Sequence, residues 1–152
     1  MLNLLTRIIA KTIPAETVSA HCDGPCGVYD PASARIAAEA VLSMTKKLLA
    51  LHPGAHDHAG QNTFSRYVAI KEEQAQLAKD ELLVLWTDYF KPAHLEKYPD
   101  LHTTFWNAAK LCSAAKVNVS QEDAEALMAA IEKIHKIFWE TKGRDVAYYT
   151  AA

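Results

Sequence analysis

Apolar residues recur at spacings of three and four in four separate stretches of the chain. This spacing places the apolar side chains on one face of an α-helix, so it predicts four amphipathic helices. Proline, glycine and capping residues separate the stretches. The predicted helices run from about Pro31 to the residues before Pro53, from Thr63 to about Phe90, from about Asp100 to Lys116, and from Ser120 to the residues before Gly143. The apolar stripe of the first helix is Ile36, Ala40, Val41, Met44, Leu48 and Leu49.

Four long helices with short connections predict an all-α fold, an antiparallel up-and-down four-helix bundle. Cys112 and His135 both fall on apolar stripes. Their positions predict a buried, unreactive thiol and a core histidine whose hydrogen bonds are satisfied. The segment from His52 to Asn62 is predicted to be a polar connector. Its histidines (His52, His56 and His58) are alternatively metal ligands, although a glycine-containing loop does not fix ligand geometry.

Composition narrows the possible functions of the chain. At 152 residues it has the size of one domain, and half of its residues are apolar. The formal net charge of −2 gives no reason to expect nucleic-acid or anionic-membrane binding, and no apolar run reaches the ~20 residues that span a bilayer. Three cysteines do not make a disulfide framework. The odd number of cysteines points to a reducing compartment, so we predict a cytoplasmic protein. The charge and the apolar pattern predict no nucleic-acid or membrane partner.

The densest group of chemically active side chains precedes the first helix. The stretch His21–Pro31, here called the hook, reads His-Cys-Asp-Gly-Pro-Cys-Gly-Val-Tyr-Asp-Pro. Gly24-Pro25 favours a tight turn, which would let the Cys22 and Cys26 thiolates meet on one metal ion. We therefore interpret the hook as a metal-binding segment.

The twenty residues before the hook end in Val18-Ser19-Ala20, a run of small residues of the kind that peptidases cut. Cleavage there would make His21 the N-terminus, with a free α-amine. Our prediction is a propeptide at 1–20, removed on maturation, and a hook-plus-bundle domain at 21–152. An export signal and a retained first helix are the alternatives, but Arg7 and Lys11 interrupt any apolar signal core.

Spacing alone leaves the bound metal open. Zinc is the usual partner of sulfur and nitrogen, but structural zinc sites draw a second pair of ligands from another segment. A planar set of two thiolates, the α-amine of His21 and the amide nitrogen of Cys22 suits Ni(II) or Cu(II), with the His21 imidazole as axial ligand. A Cys22–Cys26 disulfide, a metal chaperone and a thiol-redox protein remain alternatives.

The hook, from His21 to Ala32, resembles the N-terminal hook of the nickel superoxide dismutase family. The motif is long and specific, with only Gly24 at a variable position. The resemblance extends to about Lys142. It includes Ala34-Arg35-Ile36, Ala69-Ile70-Lys71-Glu72, Leu77-Ala78-Lys79, Val84-Leu85-Trp86-Thr87-Asp88-Tyr89-Phe90-Lys91-Pro92, Glu96-Lys97-Tyr98-Pro99, Leu101-His102, Ser113-Ala114-Ala115-Lys116 and Lys136-Ile137-Phe138-Trp139-Glu140-Thr141-Lys142.

The resemblance implies a homohexamer of four-helix bundles whose leader is removed by a dedicated protease. It implies one nickel ion per subunit, bound by His21, Cys22 and Cys26, which cycles between Ni(II) and Ni(III). The implied reaction converts superoxide to dioxygen and hydrogen peroxide.

The resemblance also assigns roles beside the metal. Tyr29 guards the open face, Tyr89 is hydrogen-bonded beside it, and Asp23 helps to build the pocket. Protons come from ordered water and the hook's backbone rather than from one strong acid, and Lys91 helps to steer the anion.

Two positions depart from the family pattern. Better-known members hold the axial imidazole with a glutamate that pairs with an arginine, and the corresponding residues here are Ala37 and Gln74. We predict that a backbone carbonyl, a water molecule or Gln74 orients His21 instead.

Overall fold

The structure, a computed structural model, describes residues 27–151. The predicted propeptide at 1–20 and hook residues 21–26 lie outside the described residues. Between residues 27 and 151 all regular structure is helical, and the elements are α1 (Ala32–Ala50), α2 (His58–Val84), α3 (Pro92–Lys97), α4 (Leu101–Val117) and α5 (Gln121–Thr141). A π-helical turn, Leu85–Tyr89, continues α2.

The four long helices form a closed ring of contacts, which confirms the predicted all-α four-helix bundle. Helix α1 packs on α2 and α5, and α4 packs on the same two helices from the other side. Alanines are prominent among the buried residues of α1 and α2, and these two helices share the most extensive contact in the bundle. The buried apolar residues that hold the bundle together include Ala34, Ala38, Val41, Ala75, Ala78, Leu82, Phe105, Leu127, Ile131, Ile134 and Phe138.

Helix α1 begins where the sequence predicted, but its buried face is rotated. The Asp30 carboxylate accepts a hydrogen bond from the Ala32 amide at 2.8 Å, but the N-cap residue is Pro31 rather than the predicted Asp30. The predicted stripe was wrong at Ile36 and Leu49, which are 58% and 45% exposed. Small residues (Ala34, Ala37, Ala38) take core-facing positions instead.

Helix α2 begins at His58, five residues earlier than the predicted Thr63. Asp57 is its N-cap, and its carboxylate accepts a hydrogen bond from the Gly60 amide at 2.9 Å. A side chain at position 60 would collide with that carboxylate, so glycine suits the first turn. The sequence prediction treated this glycine as part of a loop and therefore missed the cap.

Other predictions for the second half of the bundle are confirmed. Ser120 caps α5 by accepting a hydrogen bond from the Asp123 amide at 3.1 Å, and Gly143 ends it with a φ of +65°. Cys112 is fully buried, and burial raises the pKa of its thiol to about 12. His135 is buried and hydrogen-bonded to the carbonyl of Val146 at 2.8 Å. The short α3 between Pro92 and Lys97 was not predicted.

A buried lysine joins α2 to the end of α4. Only 2% of Lys71 is exposed, and its ammonium donates hydrogen bonds to the carbonyls of Ala115, Lys116 (2.8 Å) and Asn118 (3.0 Å). These are carbonyls that the end of a helix leaves without a backbone partner. Burial lowers the pKa of Lys71, and neighbouring Glu72 acts in the opposite direction. The Lys71 ammonium, largely removed from water, therefore caps the C-terminal end of α4.

Across residues 27–151, none of the helices combines the length and the hydropathy that crossing a membrane requires.

We expect Lys71→Met to lower the free energy of unfolding by about 3 kcal/mol, because three carbonyl oxygens lose their charged donor. Urea denaturation would measure the loss. Lys79→Met is the matched control on the same helix, since Lys79 in the described part of the chain donates to the single Ser113 hydroxyl, at 3.2 Å. It should change stability by less than ~1 kcal/mol. Equal losses in the two variants would contradict the capping role of Lys71.

Candidate active site

The first hook residue that the structure describes is Gly27, which follows Cys26. Gly27 has a φ of +65°, a backbone conformation that glycine adopts without strain. Predicted site residues His21, Cys22, Asp23 and Cys26 lie outside the described residues, so their roles stay predictions.

A cavity of about 470 Å³ lies against this last part of the hook. It brings together Tyr29 and Tyr89, the two predicted catalytic residues that the structure describes. Its lining residues are Gly27, Tyr29, Asp88, Tyr89, Lys91, His94 and Lys142. The cavity therefore joins the hook to the π-helical turn, α3 and the end of α5.

Aromatic packing holds the two tyrosines side by side. Their ring centroids are 5.5 Å apart, with the ring planes inclined at 54°. The Tyr89 ring also packs on Phe138, at 4.5 Å, and on Phe90, at 4.9 Å. The π-helical turn ends at Tyr89, and the Phe90 amide donates to the carbonyl of Leu85 at 3.1 Å. Such turns recur at functional sites, because the extra residue shifts the directions of the side chains that follow.

The Tyr89 hydroxyl has a defined hydrogen-bond direction. It lies 2.6 Å from the Thr141 hydroxyl, which in turn donates to the carbonyl of Phe138 at 2.6 Å. Since Thr141 has only one hydroxyl proton, Tyr89 must be the donor in the bond between them. The Tyr89 oxygen can therefore accept a hydrogen bond from the cavity, while its own proton is held by the bundle.

Among the described residues that line the cavity, cationic side chains outnumber anionic ones. Lys91 and Lys142 line it with a single carboxylate, Asp88. The Lys142 ammonium lies 4.9 Å from the centroid of the Tyr89 ring, in position for a cation–π interaction. This balance of charge favours an anionic substrate.

The His94 ring stacks on the Tyr89 ring. It lies 5.7 Å from the Tyr89 ring and nearly parallel to it, at 17°. The Lys91 amide donates to its Nδ1 atom at 3.0 Å. A nitrogen that accepts a hydrogen bond carries no proton, so neutral His94 is protonated at Nε2.

Sequence reasoning missed His94, Thr141 and Lys142 as members of this site. Lys142 and Thr141 lie in the Lys136–Lys142 segment that resembles the family, and this was the available signal. His94 gave no signal, because its proximity to Tyr89 depends on the unpredicted helix α3.

Other potential metal ligands do not assemble in the part of the chain that the structure describes, where no group of three His, Cys, Asp or Glu side chains converges. Glu132 and His135 have a spacing that helical bundles use for internal metals, but His135 is hydrogen-bonded to Val146. Asp57 in the histidine-containing connector caps α2. These findings leave the hook as the candidate metal site.

The two departures from the family pattern have different environments. Ala37 is fully buried within the apolar core, whereas Gln74 is partly exposed on α2. A methyl side chain at position 37 offers no hydrogen bond, so nothing at this position can orient an imidazole.

Comparison with known proteins gives a consistent family. A family model described as nickel-containing superoxide dismutase matches residues 16–142. Two relatives named superoxide dismutase [Ni], from Streptomyces seoulensis and Streptomyces coelicolor, are each 48% identical over 139 residues, which cover 91% of this chain and 98% of the relative.

Solved structures agree with the sequence relatives. A crystal structure of Ni-containing superoxide dismutase, with Ni-ligation corresponding to the oxidized state, aligns with a TM-score of 0.72 and 48% identity, covering 82% of this chain and 100% of that one. A native nickel superoxide dismutase structure aligns with a TM-score of 0.70 and 48% identity, covering 80% and 99% of the two chains.

We expect Tyr89→Phe and Thr141→Val to show a coupling energy of about 1 kcal/mol in a double-mutant cycle of unfolding free energies, because each removes one partner of the same hydrogen bond. Thr141→Ser is the control that keeps the hydroxyl. Additive effects of the two substitutions would show that the bond does not hold Tyr89.

Proposed function

The chain belongs to the nickel-containing superoxide dismutase family, and we propose that its active site is formed by the hook together with the cavity beneath Tyr29. Its activity is the nickel-dependent disproportionation of superoxide. The observation that carries the site assignment is the convergence of Tyr29 and Tyr89 on a cavity that touches Gly27, the residue after Cys26.

The donor set of the hook fits nickel. His21, Cys22 and Cys26 offer two thiolates together with amine, amide and imidazole nitrogens once the chain begins at His21, and such sets suit square-planar Ni(II). A nickel ion held there, one per subunit, would supply one-electron redox chemistry by changing between Ni(II) and Ni(III). In the balanced reaction, one superoxide is oxidised to dioxygen while a second takes up one electron and two protons to become hydrogen peroxide.

The described residues have distinct tasks in this proposal. Lys91 and Lys142 raise the local concentration of the superoxide anion at the cavity. Tyr29 and Tyr89 wall the cavity with aromatic rings, so they restrict which molecules reach the hook. Asp23, on the hook itself, is proposed to help to build the pocket.

Proton delivery does not draw on Tyr89 in this arrangement. Its hydroxyl proton is directed at Thr141, away from the cavity. The Tyr89 oxygen can instead accept a hydrogen bond from water or from a protonated product. Water and the backbone of the hook are therefore the proposed proton sources.

The orientation of His21 must differ from that in family members with a glutamate at this position. Ala37 is buried and apolar, which supports our prediction that a backbone carbonyl, a water molecule or Gln74 holds the imidazole. The alternative is a carboxylate on His21, which a structure of the processed, nickel-loaded chain would reveal.

Maturation and assembly extend the proposal. A processing protease would release the leader at 1–20, since the α-amine of His21 is needed as a ligand. The mature subunits would form a homohexamer in the cytoplasm. Exposed apolar residues such as Val28 and Ile36, 73% and 58% exposed, support burial against other subunits.

Intact mass and metal analysis of the protein from its native host tests the proposal. We expect a chain that begins at His21 and carries about one nickel per subunit, a rhombic Ni(III) paramagnetic signal, and dismutase activity. The uncleaved chain should be inactive, because the leader blocks the α-amine of His21. Exchangeable metal without turnover would indicate a metal chaperone, and activity without metal would indicate a thiol-redox protein; either result would overturn the proposal.

The charge balance of the cavity gives a second prediction. We expect Lys91→Gln combined with Lys142→Gln to lower kcat/KM about tenfold at low ionic strength, and to flatten its dependence on salt, because long-range attraction of the anion is lost. Lys110→Gln is the matched control, since Lys110 lies over Trp106 and does not line the cavity. Equal effects of the control and the double variant would contradict steering by these two lysines.

A further inference from the structure

The residues after α5 pack back on the bundle although they form no regular structure. Gly143 reverses the chain with its φ of +65°, and residues 144–151 then run along the surface. The family match ends at residue 142, so this segment lies beyond it. We call residues 144–151 the strap.

The first half of the strap is fixed to α5. The carbonyl of Val146 accepts a hydrogen bond from Nε2 of buried His135 at 2.8 Å. The Tyr148 ring packs edge-on against the His135 ring at 5.3 Å, and its hydroxyl donates to the carbonyl of Met128 at 3.4 Å. Burial raises the pKa of Tyr148 to about 12, so this hydroxyl keeps its proton at physiological pH.

The second half of the strap is fixed to α1. The Arg35 guanidinium lies over the Tyr149 ring, 4.8 Å from its centroid. The Ala151 amide donates to Oε1 of Glu39 at 2.6 Å, while Oε2 of Glu39 pairs with Arg35 at 3.4 Å. The two oxygens of one carboxylate therefore bind the strap and Arg35 together.

These contacts fall on the turns of α1 that carry the hook. Arg35 is only 8% exposed, and its amide donates to the carbonyl of Pro31, the last residue of the hook, at 3.1 Å. At its other end the strap begins beside Lys142, which lines the cavity. The strap thus connects the α5 side of the cavity to the helix from which the hook emerges.

We propose that the strap positions the first two turns of α1, and through them the hook, relative to the cavity. Its effect on the metal site rests on the proposed function, whereas its effect on α1 does not. Arg35 is the central positioning residue, since a nearly buried guanidinium is held between a carboxylate of its own helix and an aromatic ring of the strap.

Hydrogen exchange of the full chain tests the effect on α1. We expect a chain that ends at Gly143 to exchange its amides at residues 32–39 about tenfold faster, as the loss of contacts to a charged pair implies. Tyr149→Leu should produce part of this change. Tyr149→Phe should leave exchange as slow as in the unmodified chain, because Arg35 can still form a cation–π interaction with the ring. Helix α4, which takes no part in the strap contacts described above, is the internal reference.

The proposal is overturned if exchange at residues 32–39 is unchanged in the shortened chain. It is equally overturned if exchange in α4 rises by the same factor, since that would show general destabilisation.

A second readout concerns the metal. In the processed, nickel-loaded protein, the shortened chain should release nickel to a chelator several-fold faster than the complete chain and should show a broadened Ni(III) signal. Unchanged release and an unchanged signal would refute positioning of the hook. If the complete chain binds no nickel at all, the proposed function fails, while the exchange experiment still decides whether the strap holds α1.

Discussion

A cluster of four aromatic rings at one end of the bundle is the constraint on which the candidate site depends. Tyr89 packs on Phe90 and Phe138, and Phe90 packs in turn on Phe105, at 5.3 Å. These rings come from the π-helical turn, α4 and α5, so they fix three elements at once. Offset and edge-on aromatic contacts of this kind are directional as well as apolar. The floor of the cavity is therefore continuous with the packed core.

The proposed chemistry of the site is divided between this aromatic cluster and the hook. The bundle holds the proton of Tyr89 in a hydrogen bond to Thr141 and places Lys142 against the tyrosine ring. In the proposed function the metal ligands come from the hook, whose first six residues precede the described structure. Ligands on a terminal segment would make activity depend on cleavage, because a backbone amine becomes available only at a chain end. This arrangement would also make the position of α1 important, since α1 is the described element that directly follows the hook.

Differences between the predicted and observed helices have specific physical causes. Ile36 was predicted to be a core residue because it is large and apolar. In the structure it is exposed, and alanines of α1 are buried in the core instead. The sequence prediction also treated Gly60 as a loop residue, although a glycine is what allows Asp57 to cap the first turn of α2. At Ile36 a local preference was overridden by packing of the helix against the bundle. At Gly60 the deciding contact is local, since the glycine leaves room for the capping carboxylate of Asp57.

The sequence by itself predicted the helical bundle, a nickel-binding hook and a site beside Tyr29 and Tyr89. The structure confirms the bundle and brings the two tyrosines to one cavity, while the ligand set of the hook stays a prediction. Helical periodicity and a long motif are local along the chain, so they can be read without coordinates. Only the tertiary structure decided which distant residues join them, namely His94, Thr141 and Lys142 at the cavity and Tyr149 against Arg35. Such contacts depend on how helices cross and where the chain turns back. Those features follow from the packing of the whole molecule, since no short stretch of sequence encodes the distance between two helices.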